Sequence, residues 1–136
     1  MKTETFDIIF ICETWLNENI FDAEIINNSS YNLYRHDRRV KIGGWVVILF
    51  KKCLNLRYIS LPLNFTDCEI IVADISNIYF NYRLSVCYRP PNATIEINQN
   101  RLDCLRWSLS NALHHIRVIV GDFNLPAIKW DKTDHF

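Results

Sequence analysis

The sequence has no surplus of charge of either sign. Its 15 basic and 15 acidic side chains cancel to a formal net charge of zero. That excludes a uniform electrostatic pull toward nucleic acid, so a polyanionic partner must be held by a local patch, by a metal or by regions outside this chain. It also lacks paired cysteines. The five present (Cys12, Cys53, Cys68, Cys87 and Cys104) are scattered, odd in number and never spaced C-x-x-C. A disulfide framework or zinc site is thereby disfavoured, and a reducing compartment, nuclear or cytoplasmic, is expected. Three of them sit in apolar runs, where a free cysteine behaves as a small hydrophobe. No stretch is long and apolar enough to span a bilayer, and the opening MKTETFDIIFICETW lacks a signal-peptide pattern, so no membrane role is expected. Internal repeats, low-complexity tracts and interdomain linkers are absent as well.

What is present is core material. Of 136 residues, 49% are hydrophobic and 22% charged, the composition of a folded rather than a disordered chain. Phe6 to Cys12 is a continuous apolar run that suits a strand buried on both faces. A polar stretch follows, with a short helical turn near Phe21 to Ile26. Strands are expected at Tyr31 to Asp37, at Trp45 to Phe50 after the Gly43-Gly44 turn, at Leu54 to Ser60 and at Cys68 to Ile75, the last two separated by a turn around Pro62 to Asp67. Ile78 to Tyr88 alternates with period two and predicts a strand with one mostly apolar and one mostly polar face. Pro90-Pro91 stops it. A helix is expected from about Thr94 to His114, with Leu102, Leu105, Leu109, Ala112 and Leu113 on its buried face. Ile116 to Val120 reads as another buried strand, ending at Gly121-Asp122, and Phe123 to Phe136 as loop. Consecutive strands with one late helix argue for an α/β fold with mixed, mostly antiparallel sheets.

Two of the apolar strands end in acids, Glu13 and Asp122. A carboxylate just past a buried strand sits at the edge of a sheet, where clefts form. Two such acids suit one hard divalent cation, because magnesium takes one or two carboxylates and leaves its other positions to water and phosphate. Asn124 lies two residues beyond Asp122; an extended backbone would point both side chains the same way. Tyr88 and Arg89 end the strongest strand, and both side chains suit phosphate oxygens. On spacing alone, acids after strands are more often solvated turn residues or helix caps, and Tyr88 and Arg89 more often a core tyrosine beside a solvated arginine.

Order along the chain adds specificity. Cys12-Glu13-Thr14-Trp15-Leu16, Arg35-His36-Asp37-Arg38 with Gly43-Gly44, Tyr88-Arg89-Pro90-Pro91, and Gly121-Asp122-Phe123-Asn124-Leu125-Pro126 with Ile128-Lys129-Trp130 occur in that sequence. Together they resemble the apurinic-type endonuclease domain of non-LTR retrotransposons, a branch of the endonuclease/exonuclease/phosphatase superfamily. The resemblance implies a DNase I-like four-layer α/β sandwich, of which residues 1–136 form a single incomplete domain, and magnesium-dependent nicking of DNA beside a reverse transcriptase outside this chain. It implies Glu13 as the ligand of magnesium, with manganese as an alternative, and no small-molecule cofactor. Tyr88 would contact the scissile phosphate, Asp122 would align or deprotonate the attacking water, Asn124 would orient that acid and the phosphate, and Arg89 would lie near the nucleic-acid backbone.

The chain departs from that pattern in three places. The resemblance implies an asparagine-bearing strand before the glutamate, yet only twelve residues precede Glu13. It also implies a later Ser-Asp-His motif, and this chain has none; Asp134-His135 follows Asp122 too closely to fill the role. Trp45 stands where a third small residue is usual. His114 and His115 are expected to favour a helix C-terminus, and His36 to be structural or solvated. Losing one preorganised transition-state group costs roughly 3–4 kcal/mol, a hundred- to thousand-fold in rate. The expectation is a nuclease-type fold with poor or no activity in this polypeptide alone. The competing readings are a non-catalytic nucleic-acid-binding remnant and a phosphoesterase acting on lipids; the Tyr-Arg-Pro-Pro and Arg-His-Asp-Arg stretches point away from the latter.

Overall fold

A computed structural model of the chain describes residues 6–16, 19–27, 30–36, 46–112 and 116–129. Among the described residues, seven strands and two α-helices follow one another: β1 (Ile8–Cys12), α1 (Asp22–Ile26), β2 (Tyr31–His36), β3 (Val46–Lys51), β4 (Leu56–Ile59), β5 (Ile70–Ser76), β6 (Asn81–Tyr88), α2 (Ile95–Ser110) and β7 (Ile116–Asp122), with a 3₁₀ turn at Leu63–Phe65. They build two sheets. The first is antiparallel with order β1-β3-β2; the second has order β4-β5-β6-β7, antiparallel except for the parallel β6–β7 pair. The parallel pair is joined by α2, the crossover that parallel neighbours require.

The sheets face each other across one core. Val46, Ile48 and Phe50 of β3 meet Ile71, Ala73, Leu84, Val86 and Tyr88 of β5 and β6. On the outer side of the second sheet, α2 covers a second core of Phe65, Cys68, Ile70, Val72, Cys87 and Cys104. The layers are therefore sheet, sheet and helix, with the short α1 beside β2, as expected for a partial α/β sandwich. Tyr34 spans the sheets: its hydroxyl donates to the Leu56 carbonyl at 2.9 Å, and its ring packs on Phe50 and Tyr58.

Several expectations need correction. β1 is not buried on both faces. It lies at the edge of its sheet and is half-buried throughout, while β3 takes the centre. β7 is likewise an edge strand with alternating exposure, and it continues through Gly121 and Asp122 rather than ending before them. The long strand begins at Asn81, not Ile78. Asn77 Oδ1 accepts the Tyr79 and Phe80 N–H groups at 2.7 and 2.6 Å, an Asx-type turn that claims three residues of the alternating run. The expected polar face of β6 is not solvated: Arg83, Ser85 and Cys87 are as buried as Leu84 and Val86, because α2 lies over them.

The helix, too, is shorter and rotated from the expected one. Thr94 caps it by accepting the Ile97 N–H at 3.3 Å, and Asn111 ends it. Of the expected face, Leu105 packs against the second core and Ala112 is buried, but Leu102 is 49% exposed, and the residues the helix itself buries are Arg101, Cys104 and Ser108. Polar docking explains the rotation. Arg83 Nη1 donates to the Ser108 carbonyl at 2.8 Å, Ser85 Oγ lies 3.2 Å from Ser108 Oγ, and Arg101 reaches the buried Glu69 at 3.8 Å. Asp37, Trp45, Leu113, His114, His115, Trp130, Asp134, His135 and the Gly43-Gly44 turn lie outside the described residues.

Candidate active site at the ends of β1, β6 and β7

Sheet register and one contact between the sheets bring three strand ends together. In the parallel β6–β7 pair, Tyr88 is directly opposite Asp122 and Cys87 opposite Gly121. Gly121 is required there. Its φ is +154°, and an added Cβ would fall 1.7 Å from the Cys87 carbonyl oxygen. The same carbonyl accepts the Cys12 thiol at 3.7 Å, which ties the end of β1 to that of β6. Cys12 senses its surroundings accordingly. Burial pushes its thiol up, a hydrogen bond with the Asp122 backbone opposes this, and the Asp122 and Glu13 carboxylates raise it further. Glu13, Tyr88 and Asp122, far apart in sequence, therefore converge.

The convergence includes a direct bond. Tyr88, 5% exposed, donates its phenolic hydrogen to Oε1 of the exposed Glu13. Glu13 and Trp15 take left-handed backbone, with φ of 56° and 53°. Asn124 does the same at 45°. Such conformations cost about 1–3 kcal/mol for residues with a side chain and concentrate at functional sites. The condition for Asp122 and Asn124 to point the same way, an extended backbone, is thus not met. The chain turns at Asn124, whose backbone N–H donates to Asp122 Oδ1 at 3.0 Å.

Arg89 lies behind this turn. Its backbone N–H donates to the Asp122 carbonyl at 2.8 Å, and Nη1 donates to the carbonyls of Asn124 and Phe123 at 2.7 and 3.5 Å. Asn124 Nδ2 returns a bond to the Arg89 carbonyl at 2.8 Å. Asn98, on the first turn of α2, accepts Arg89 Nε at 2.9 Å. Sequence reasoning missed Asn98 altogether; its only signal is its place one helical turn after the Thr94 cap that follows Pro90-Pro91. Arg35 of the Arg-His-Asp-Arg stretch serves α1 instead, donating Nη1 to the Ile20 carbonyl at 2.6 Å and pairing with Asp22 at 3.2 Å. His36 is a half-buried strand residue opposite Val46.

The donor set suits a hard cation. Glu13 and Asp122 offer oxygen, and no group of three His, Cys, Asp or Glu side chains gathers here or elsewhere among the described residues, so protein side chains would fill only part of a cation's sphere. One carboxylate ligand with water and phosphate completing the sphere is how magnesium is usually held, and these residues fit it. A separate cavity of about 500 Å³, lined by Tyr34, Arg57, Tyr58, Asp74 and Ser76 among others, opens near the opposite end of β5 and plays no part here. No helix among the described residues is long and apolar enough to cross a membrane.

No protein-family model matches the chain, and no curated protein matches it. Solved structures do. A 3′ phosphatase from Neisseria, NExo (D146N), bound to a product DNA hairpin, is 17% identical with a TM-score of 0.60, covering 88% of this chain and 48% of that one. ANGEL2, a 2′,3′-cyclic phosphatase, is 17% identical with a TM-score of 0.60, covering 89% and 40%. A humanized D. rerio TDP2 is 17% identical with a TM-score of 0.52, covering 89% and 53%. This chain spans about half the length of those structures. Two facing sheets with the flanking helix, matched across nearly the whole chain, show that it shares the fold of those structures, a DNase I-like α/β sandwich.

Proposed function

We propose that this chain provides the cation- and water-handling part of a phosphodiesterase that nicks DNA, of the kind found in retroelement endonucleases. The observation that carries the reading is the Tyr88–Glu13 hydrogen bond across the two sheets, beside Asp122 in register with Tyr88. Glu13 would hold magnesium or manganese. When bound, the cation would polarise the phosphate and offset the charge that develops on it. Tyr88, pinned between the sheets, orients the Glu13 carboxylate with its single hydroxyl hydrogen, and on substrate binding that hydrogen would pass to a phosphate oxygen. Asp122 accepts a proton from the attacking water. The water oxygen then bonds to phosphorus, the P–O ester bond breaks, and the leaving oxygen takes a proton from solvent. Asn124 orients Asp122 through its backbone N–H, and Arg89 adds fixed positive charge where the phosphate backbone would run.

DNA is the favoured substrate because the Neisseria neighbour holds a product DNA hairpin and a D. rerio TDP2 structure holds a single-strand DNA product. The chain contains no Ser-Asp-His motif, so the polypeptide alone is expected to nick slowly. Supercoiled plasmid, incubated with the full chain and magnesium, tests the reading. The expected result is slow, magnesium-dependent nicking that Glu13→Gln and Asp122→Ala each abolish. Nicking that survives both substitutions, or that needs no divalent cation, would sink it. DNA retention without any nicking would favour the second reading, a non-catalytic nucleic-acid-binding module, which the missing motif supports.

A further inference from the structure

We infer that Arg89 is a positioning residue, and that Asn98 of α2 is its anchor. Together they hold the Asp122–Asn124 turn in the conformation that aims the Asp122 carboxylate. An arginine placed to bind phosphate would keep its fork free for the ligand, since the bidentate N–H pair is what matches phosphate. Here two positions of the fork are already engaged within the protein: Nε with Asn98 Oδ1 at 2.9 Å, and Nη1 with the Asn124 carbonyl at 2.7 Å.

Those bonds belong to a closed circuit. The Arg89 N–H meets the Asp122 carbonyl, Asn124 Nδ2 meets the Arg89 carbonyl, and the Asn124 N–H meets Asp122 Oδ1. Asn98 is itself fixed, because its Nδ2 donates to the Ala93 carbonyl at 3.2 Å. The circuit joins the ends of β6 and β7 to the first turn of α2. It also offsets a cost, because Asn124 sits at φ 45° and left-handed backbone is unfavourable unless its surroundings enforce it. An arginine fork can grip two carbonyls and an amide oxygen at once, whereas the single ammonium of lysine cannot keep that planar pattern. Charge at this position is therefore not sufficient; shape is.

For its kinetic half, this inference rests on the reading of Asp122 as the water-activating acid. Its structural half does not, and the experiment separates them. Backbone amide exchange in the full chain is measured for wild type, Arg89→Lys, Arg89→Gln, Asn98→Ala and Asn98→Asp. Exchange of the Asn124 amide is expected to rise roughly tenfold or more in the first three variants, the loss of about one enforced hydrogen bond, with β5 amides unchanged. Asn98→Asp keeps an acceptor oxygen for Nε and is expected to restore protection. Nicking is followed in parallel: Asn98→Ala, which keeps the Arg89 charge in place, should lower kcat and shift the pH profile while leaving KM for DNA unchanged. The inference is overturned if Arg89→Lys keeps wild-type protection, or if Asn98→Ala leaves the Asn124 amide unmoved. It is equally overturned if Arg89→Gln acts only by weakening DNA binding with a salt slope smaller by about one. Absence of nicking in wild type would count against the proposed activity, and the exchange data would still decide the circuit.

Discussion

The phenolic hydroxyl of Tyr88, at the end of a strand in one sheet, donates to Oε1 of Glu13, just past the end of a strand in the other. Tyr88 is buried on the inner face of its sheet, in the same core as Val46, Ile48 and Val86. The hydroxyl therefore has little freedom, and Glu13 is held by a group that cannot follow it into solvent. A loose surface carboxylate becomes an oriented one.

Removing that hydroxyl without disturbing the ring separates orientation from packing. Tyr88→Phe should lower stability by only about 1 kcal/mol, the net worth of one hydrogen bond at a partly exposed carboxylate. Its effect on a bound cation should be larger, because a partner that orients a metal ligand typically controls about ten- to a hundred-fold in affinity. Manganese titration followed by electron paramagnetic resonance gives the comparison directly. Equal affinities in Tyr88→Phe and wild type would mean that Glu13 gains nothing from the contact.

Gly121 sets how closely β7 can approach β6. With a Cβ only 1.7 Å from the Cys87 carbonyl oxygen, no rotamer relieves the clash, because the opposing atom is backbone. Gly121→Ala should force the strands apart where Tyr88 faces Asp122. A loss of about 2–3 kcal/mol is expected, at the upper end of ordinary overpacking, and urea denaturation measures it. A change within about 0.5 kcal/mol, the scatter of an ordinary surface substitution, would show that the approach is not needed.

How much of this was legible in the residues depended on range. The strands were legible because β-branched and aromatic runs ended in turn residues, although β1 and β7 lie at sheet edges, and Glu13, Tyr88-Arg89 and Asp122 were legible as candidates because each stands at the end of such a run. The α2 face was not. Arg101 and Ser108 read as solvent-facing in any helical pattern, yet both are buried because Glu69, Arg83 and Ser85, distant in sequence, receive them. The polar alternation of β6 misled for the same reason: it was real, but a helix with polar docking groups lay over it. Asn98 and the left-handed turn at Asn124 depend on bonds between segments 9 to 35 positions apart, and no local pattern encodes those.

Alkaline stability follows from Cys87. Burial pushes its thiol up to about 11 from an ordinary 9.0. Below pH 9 both folded and unfolded chains hold the proton, and the thiol has no effect on the pH dependence. Between pH 9 and 11 the unfolded chain releases it while the folded chain retains it, so rising pH favours unfolding. The loss should approach about 2–3 kcal/mol across that window. Urea melts at pH 7, 9 and 10.5 should show this loss in wild type and a smaller one in Cys87→Ala. Parallel pH profiles for the two proteins would remove Cys87 as the cause.

The most demanding test concerns the ion pair beneath α2. Asp74 is 2% exposed and accepts both Nε and Nη2 of Arg83, itself 4% exposed, while Arg57 reaches the same carboxylate from the surface at 3.2 Å. Arg83 also donates to the Ser108 carbonyl, so the pair links β5, β6 and α2. Desolvating two charges offsets much of their attraction, which makes such a pair a poor source of net stability but a severe one to break. Asp74→Ala leaves a buried guanidinium with one carbonyl partner and should cost about 3–5 kcal/mol. Asp74→Leu combined with Arg83→Met removes both charges at similar volume and should recover most of that loss, although the Ser108 carbonyl is left without its donor. Thermal and urea denaturation of the single and double variants give the coupling. If the double variant is as unstable as Asp74→Ala, the pair contributes net stability and the desolvation argument fails for this core. If Asp74→Ala is itself nearly neutral, Arg83 has found solvent, and α2 does not seal the sheet as tightly as its buried Ser108 and Cys104 indicate.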